Sequence, residues 1–397
     1  MRIPLARWSM SPLALLAALV VGGSTRGHAQ LIATHPTPDN LRVGGVVQTV
    51  ARKDTVTRHA ELDRMARRLR RAERVGSVGE ADGDDAVVIG NIMDVAVDPR
   101  GRVLVADAAN QSIRVFAADG RPQFSVGQQG SGPLDFRLPV AIWAEASGEV
   151  VVVDAMLGAK YLSLADRRSA RVNRIVKLDG APTGACGARG MLFAYSPSLD
   201  KAPGVAGGIE RVIRMHDAQG KTVRTFGDSY RDSSALVRGM MSEGTVGCLP
   251  GGSVVAALSK LPYVHGFDAS GTRRWSLRFT DFTIGRELQQ LDRERRNSIG
   301  LDPKNPTASY TRRITPLGPQ FAAVQIGLIT PRSLRDRSIW SRIDTYVVDT
   351  QSGRAAFVSS TLPLLSQLRG EQLVGFENDP FPRVILMRLE KPAPDAR

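Results

Sequence analysis

Between Ile92 and Pro139 the apolar positions fall in four short runs separated by turn residues. Val95-Ala96-Val97 meets Pro99-Arg100-Gly101, and Val103-Leu104-Val105 meets Asp107 to Gln111. Ile113-Arg114-Val115-Phe116 meets Asp119-Gly120, and Gln123 to Val126 meets a glycine-rich loop. Runs of β-branched residues bounded by Asp, Gly, Asn and Pro specify strands and tight turns, and Asp-Gly is a strong hairpin marker. The stretch predicts four antiparallel strands, the size of one β-propeller blade.

The pattern repeats. Gly101 and Gly148, Asp107 and Asp154, and Asp119 and Asp166 are each 47 residues apart, which predicts a second unit over Pro139 to Lys177. Third and fourth units follow through Met191 to Phe226 and Val254 to Phe279, a fifth through Ala322 to Ser359, and a sixth through Gln372 to Leu389. Gly76-Ser77-Val78-Gly79 aligns with Phe124-Ser125-Val126-Gly127 at an offset of 48, so the N-terminal segment reads as the last strand of a unit. The sixth unit has three strands of its own, and this N-terminal strand is expected to complete it. The prediction is an all-β chain: a six-bladed β-propeller of four-stranded antiparallel blades over residues 75–392, closed by an N-terminal strand. Such closure removes exposed sheet edges.

Two segments depart from the strand pattern. Over Arg58 to Arg74, Leu62, Met65, Ala66 and Leu69 recur at helical spacing, opposite Arg64, Arg67, Arg68, Arg71 and Arg74. This predicts a basic helix whose apolar stripe packs on the domain, at the end of a leader over residues 30–74. Thr280 to Arg313 reads as an insertion with a helix from Gly285 to Asn297.

The first two units resemble NHL repeats of exported bacterial six-bladed β-propellers. The resemblance rests on Asp94-Val-Ala-Val-Asp98, Gly101-Arg-Val-Leu-Val-Ala-Asp107, Asn110-Gln-Ser-Ile-Arg-Val-Phe116, Asp119-Gly120 and Gly127-Gln-Gln-Gly-Ser-Gly-Pro133 through Phe136. It implies a propeller that binds protein or another ligand on one face, and it supports the fold more than any one activity.

Charge and the N-terminus narrow the setting. Arg2 and Arg7, the apolar run Pro12 to Gly22, and Gly27-His28-Ala29 predict a signal peptide over residues 1–29 and a periplasmic or extracellular protein. The formal net charge of +14 becomes +11 once Arg2, Arg7 and Arg26 leave with that peptide. This suits an envelope protein or anionic ligand as partner. Export argues against nucleic acid, no further segment is apolar enough to span a membrane, and a monomer is expected.

Candidate chemistry is sparse. The loops that share one face of the ring offer Asp107, Asn110, Gln111, Gln128, Gln129, Asp135, Arg137, Asp154 and Lys160 as a polar ligand face. Asp107, Asn110 and Asp154 fall at repeat landmarks, where such residues bond to local backbone. A lactonase-like hydrolase or a lyase using calcium is the alternative, but it needs acids converging from several blades. The inner strands supply only Asp94 and Glu145 clearly. His216 and His265 fall on third strands away from the axis, so neither a metal site nor a cofactor is expected. Cys186 and Cys248 precede Gly190 and Gly252 by the same four residues, on inner strands of adjacent blades. They can pair in an oxidising compartment if those strands come close enough.

Overall fold

The first blade has the strands Ile92–Val97, Val103–Asp107, Ser112–Phe116 and Pro122–Val126, hydrogen-bonded in that order. A computed structural model describes residues 30–34, 47–197, 211–232, 235–291, 298–301, 306–335 and 339–391; the signal peptide expected over 1–29 lies outside them. The Asp-x-x-Gly turns form as the sequence requires. Asp98 accepts from the Arg100 and Arg102 amides, and Gly101 turns the chain at φ +78°, where a side chain would be strained.

Five more sheets follow. Blade 2 is Pro139–Ala144, Val150–Asp154, Gly158–Ser163 and Arg171–Val176. Blade 3 is Gly184–Ala188, Met191–Tyr195, Arg211–His216 and Thr222–Asp228, and blade 4 is Gly244–Cys248, Val254–Leu258, Tyr263–Phe267 and Arg273–Phe279. Blade 5 is Ala308–Pro316, Phe321–Ile329, Arg342–Asp349 and Ala355–Ser359. Blade 6 is Leu364–Arg369, Gln372–Glu377 and Arg383–Arg388, completed by Glu73–Val78 from the N-terminal side. The first strand of each blade touches the first strands of both neighbours, including blade 6 against blade 1, so the ring is closed. The molecule is a six-bladed β-propeller.

The clasp pairs antiparallel with the last strand, Val78 opposite Val384 and Glu73 opposite Arg388. Buried aliphatic clusters fill the seams. Leu104, Ile113, Ile142, Val152 and Leu162 join blades 1 and 2, and Val255, Val264, Val324 and Tyr346 join blades 4 and 5.

The basic helix spans Ala60–Arg70, shorter than the sequence pattern, because the clasp strand claims Arg74. His59 caps it through Nδ1, which accepts from the Leu62 amide at 3.3 Å. Leu62, Met65, Ala66 and Leu69 are buried against Phe321, Val347 and Val358 of blade 5 and Leu373 and Ile385 of blade 6. Arg64, Arg67 and Arg71 are exposed, and Arg70 donates to the Val358 carbonyl at 3.1 Å.

Three readings are corrected. The leader contains a strand, Val47–Val50, which pairs parallel with Arg273–Phe279 as a fifth strand of blade 4. The expected helix over Gly285 to Asn297 is absent among the described residues. Glu287–Leu291 is a strand between Gln30–Thr34 and Ser298–Leu301, because both neighbours take its backbone groups. The insertion also ends earlier, since Ala308–Pro316 is the innermost strand of blade 5 and carries Arg312 and Arg313.

Candidate functional site: the upper mouth of the central channel

Six first strands surround the axis and enclose a cavity of about 2030 Å³. Its upper mouth lies where the connections between second and third strands emerge, with the connections between blades. An innermost strand has no fifth strand to take its free backbone groups, so side chains must do so. Asp94 accepts from the Val95 amide at 2.7 Å and from Ile142 of blade 2 at 2.9 Å. Gln367 of blade 6 accepts from the Val97 amide at 2.6 Å, and buried Gln325 of blade 5 accepts from Leu365 at 2.6 Å.

The inner strands share an irregularity. Their register slips by one residue at Met93, Val140, Arg312 and Ser366 in blades 1, 2, 5 and 6. Each slipped residue lines the cavity. A bulge bends its strand and re-aims a side chain, and bulges concentrate beside functional sites. In blade 5, Tyr310 opposes Gly327 and Arg313 opposes Gln325, so the bulge at Arg312 brings Tyr310 and Arg313 to one face.

The two arginines have different surroundings. The Arg313 guanidinium bonds to the Asp94 carboxylate, donates to Ser366 Oγ at 2.5 Å and to the Met93 carbonyl at 3.3 Å, and lies 5.3 Å from the Phe376 ring. It ties blades 1, 5 and 6 together. Arg312 instead sits 4.8 Å over the Trp340 ring; the buried Nε atoms of both arginines make no hydrogen bond. Burial pushes its pKa down to about 10, the adjacent Arg313 charge adds to the shift, and Tyr310 and Glu243 oppose it. Trp340 rests on Gly327, where a Cβ would come within 2.4 Å of the ring, and Tyr310 meets its edge at 6.0 Å.

Most acids that line the channel have partners: Asp94 holds Arg313, Glu145 at the lower end accepts from Trp143 Nε1 at 2.8 Å, Glu243 lies 3.3 Å from Lys260 Nζ, and Glu377 pairs with Arg383. Among the described residues, no three of His, Cys, Asp and Glu converge on one point.

The ring of loop residues expected from sequence divides. Asp107 is buried and accepts from the Gly90 and Asn91 amides at 3.1 Å, from Asn110 Nδ2 at 2.8 Å and from Arg114 at 2.9 Å. Asp154 repeats the role one blade on, accepting from Arg137 at 2.7 Å, Leu138 at 3.0 Å and Met156 at 2.9 Å. Each aspartate staples its own turn to the preceding connection. Lys160 is also buried: Nζ donates to the Gly132 and Asp135 carbonyls and lies 5.1 Å from the Phe136 ring. Desolvation lowers its pKa. Asp135 accepts from the Gly132 amide at 2.8 Å, and Gln128 contributes its carbonyl to Phe136. Gln111, Gln129 and Arg137 line the upper mouth.

Cys186 and Cys248 form a disulfide between the inner strands of blades 3 and 4, with Cα atoms 5.6 Å apart. A small residue lies at that seam: a Cβ on Gly244 of blade 4 would come within 2.4 Å of the Tyr195 side chain of blade 3. His216 and His265 are buried on third strands; His265 Nδ1 meets Ser276 Oγ at 2.9 Å, and burial pushes its pKa down to about 3.

An NHL repeat lies at residues 93–116. It covers the first three strands of blade 1, from the bulge at Met93 to Phe116. No curated protein matches the chain. Among solved structures, a protein from Bacteroides fragilis assigned as exported is similar over 87% of this chain and 100% of its own, at 11% identity and a TM-score of 0.52. A member of the DUF4221 family from Bacteroides vulgatus covers 81% and 98%, at 9% identity and a TM-score of 0.50. At such identities the likeness is one of fold.

Arg312, Tyr310 and Trp340 were not legible as a site. The adjacent arginines of Tyr310-Thr-Arg-Arg-Ile-Thr315 are the one available signal, since a solvent-poor strand seldom carries two charges in succession.

Proposed function

We propose that the protein is an exported binding module that takes its ligand in the upper mouth of the central channel. The observation that carries this reading is the set of bulges at Met93, Val140, Arg312 and Ser366, all lining one cavity of about 2030 Å³. A propeller needs no bulge to close. Four of the six inner strands bulge around one void, and bulges are over-represented beside functional sites. The partnered acids favour binding over catalysis, because Asp94, Glu145 and Glu243 hold cations or donors of the protein itself.

The test is native mass spectrometry after exposure to a protein-free extract of the cell envelope. The wild type is expected to retain a small molecule, and Thr245→Trp, which adds bulk to the channel wall, is expected to lose it. Equal retention by both would sink the channel as the binding site.

A further inference from the structure

We infer that Arg312 is the receptor for a singly charged organic carboxylate with an aliphatic body, held at the upper mouth; this rests on the channel reading above. Arg313 is bound to Asp94 and Lys260 lies beside Glu243, whereas Arg312 makes no ion pair among the described residues. A desolvated guanidinium without a counter-ion is costly to keep. An arriving anion offsets that cost, and one unpaired positive charge matches a carboxylate better than a doubly charged phosphate.

The geometry agrees with the charge. Contact with the Trp340 ring holds the guanidinium in place, and its two terminal nitrogens make no hydrogen bond to the protein among the described residues. A parallel pair of such donors fits the two oxygens of a carboxylate. Gly327 lets Trp340 lie close to its strand, and the bulge sets Arg312 on the cavity wall, so the receptor stands on sheet rather than loop. Part of the wall suits an alkyl chain: Met93, Ile142, Ala185, Val246 and Ile339 line the same cavity.

Calorimetric titration with butanoate, hexanoate and octanoate, and with hexanol and inorganic phosphate, tests the inference on the full exported chain. Hexanoate or octanoate is expected to bind the wild type at least tenfold more tightly than hexanol or phosphate. Arg312→Met is expected to weaken that binding at least tenfold. Arg312→Lys, which keeps the charge but loses the fork, should also bind more weakly, and the exposed Arg167→Gln should match the wild type. Hexanol binding as well as hexanoate, undiminished hexanoate affinity in Arg312→Met, or no binding by any of the three acids overturns the inference and leaves the channel reading standing. Hexanoate binding that persists unchanged in Thr245→Trp fails the channel reading itself.

Discussion

At the scale of single residues, burial separates structural chemistry from binding chemistry. Asp107 and Asp154 looked like a ligand ring because they recur on one face, yet each spends its oxygens on backbone amides of two connections. Their spacing of 47 was legible because turn chemistry is local and must recur with the turn. His265 shows the cost of burial in a testable form. Its pKa falls from 6.5 to about 3 because desolvation disfavours the charged ring. Between these values the unfolded chain binds a proton that the folded chain refuses. The stability is therefore complete above pH 6.5 and is lost as pH falls toward 3. The slope is about 1.4 kcal/mol per pH unit. Urea unfolding of His265→Gln from pH 7 to pH 4 is expected to show a shallower acid decline than the wild type; parallel curves would refute the assignment.

At the scale of strands, the outer parts of the blades and the inner strands of blades 1 and 2 were readable, and the inner strands of blades 3 to 6 were not. Val103–Asp107 and Val150–Asp154 carry continuous β-branched runs because both of their faces are buried. Gly184–Ala188 reads Gly-Ala-Cys-Gly-Ala and carries no strand signal, since its composition answers to close approach between blades. Ala308–Pro316 was hidden differently, because the bulge at Arg312 breaks the alternation that would have marked it. Val47–Val50 is four residues long and pairs with a strand more than 220 positions away, so no local pattern announces it. The disulfide joins two of these inner strands, and its 62-residue separation implies about 4 kcal/mol of stabilisation by loop entropy. Replacing both Cys186 and Cys248 by serine should lower the unfolding free energy by about that amount, read from denaturant titration. A loss well under 1 kcal/mol would mean that the blades hold the seam without it.

At the scale of the whole molecule, closure makes the site. The clasp Glu73–Val78 completes blade 6, and the helix Ala60–Arg70 covers the seam between blades 5 and 6. Arg313 then bridges blade 5 to Asp94 of blade 1, 219 residues away in sequence, and to Ser366 of blade 6. The channel wall is assembled from residues whose proximity exists only in the closed ring, which is why a legible fold left the site illegible. Arg312 lines the cavity beside Trp340. The most direct measurement is photo-crosslinking in envelope extract, with a benzophenone amino acid at Ile339 on the upper mouth, at Ala146 on the lower mouth, or at Val223 on the outer edge. Adducts at Ile339 alone are expected, and adducts at Ala146 or Val223 with none at Ile339 would contradict the account.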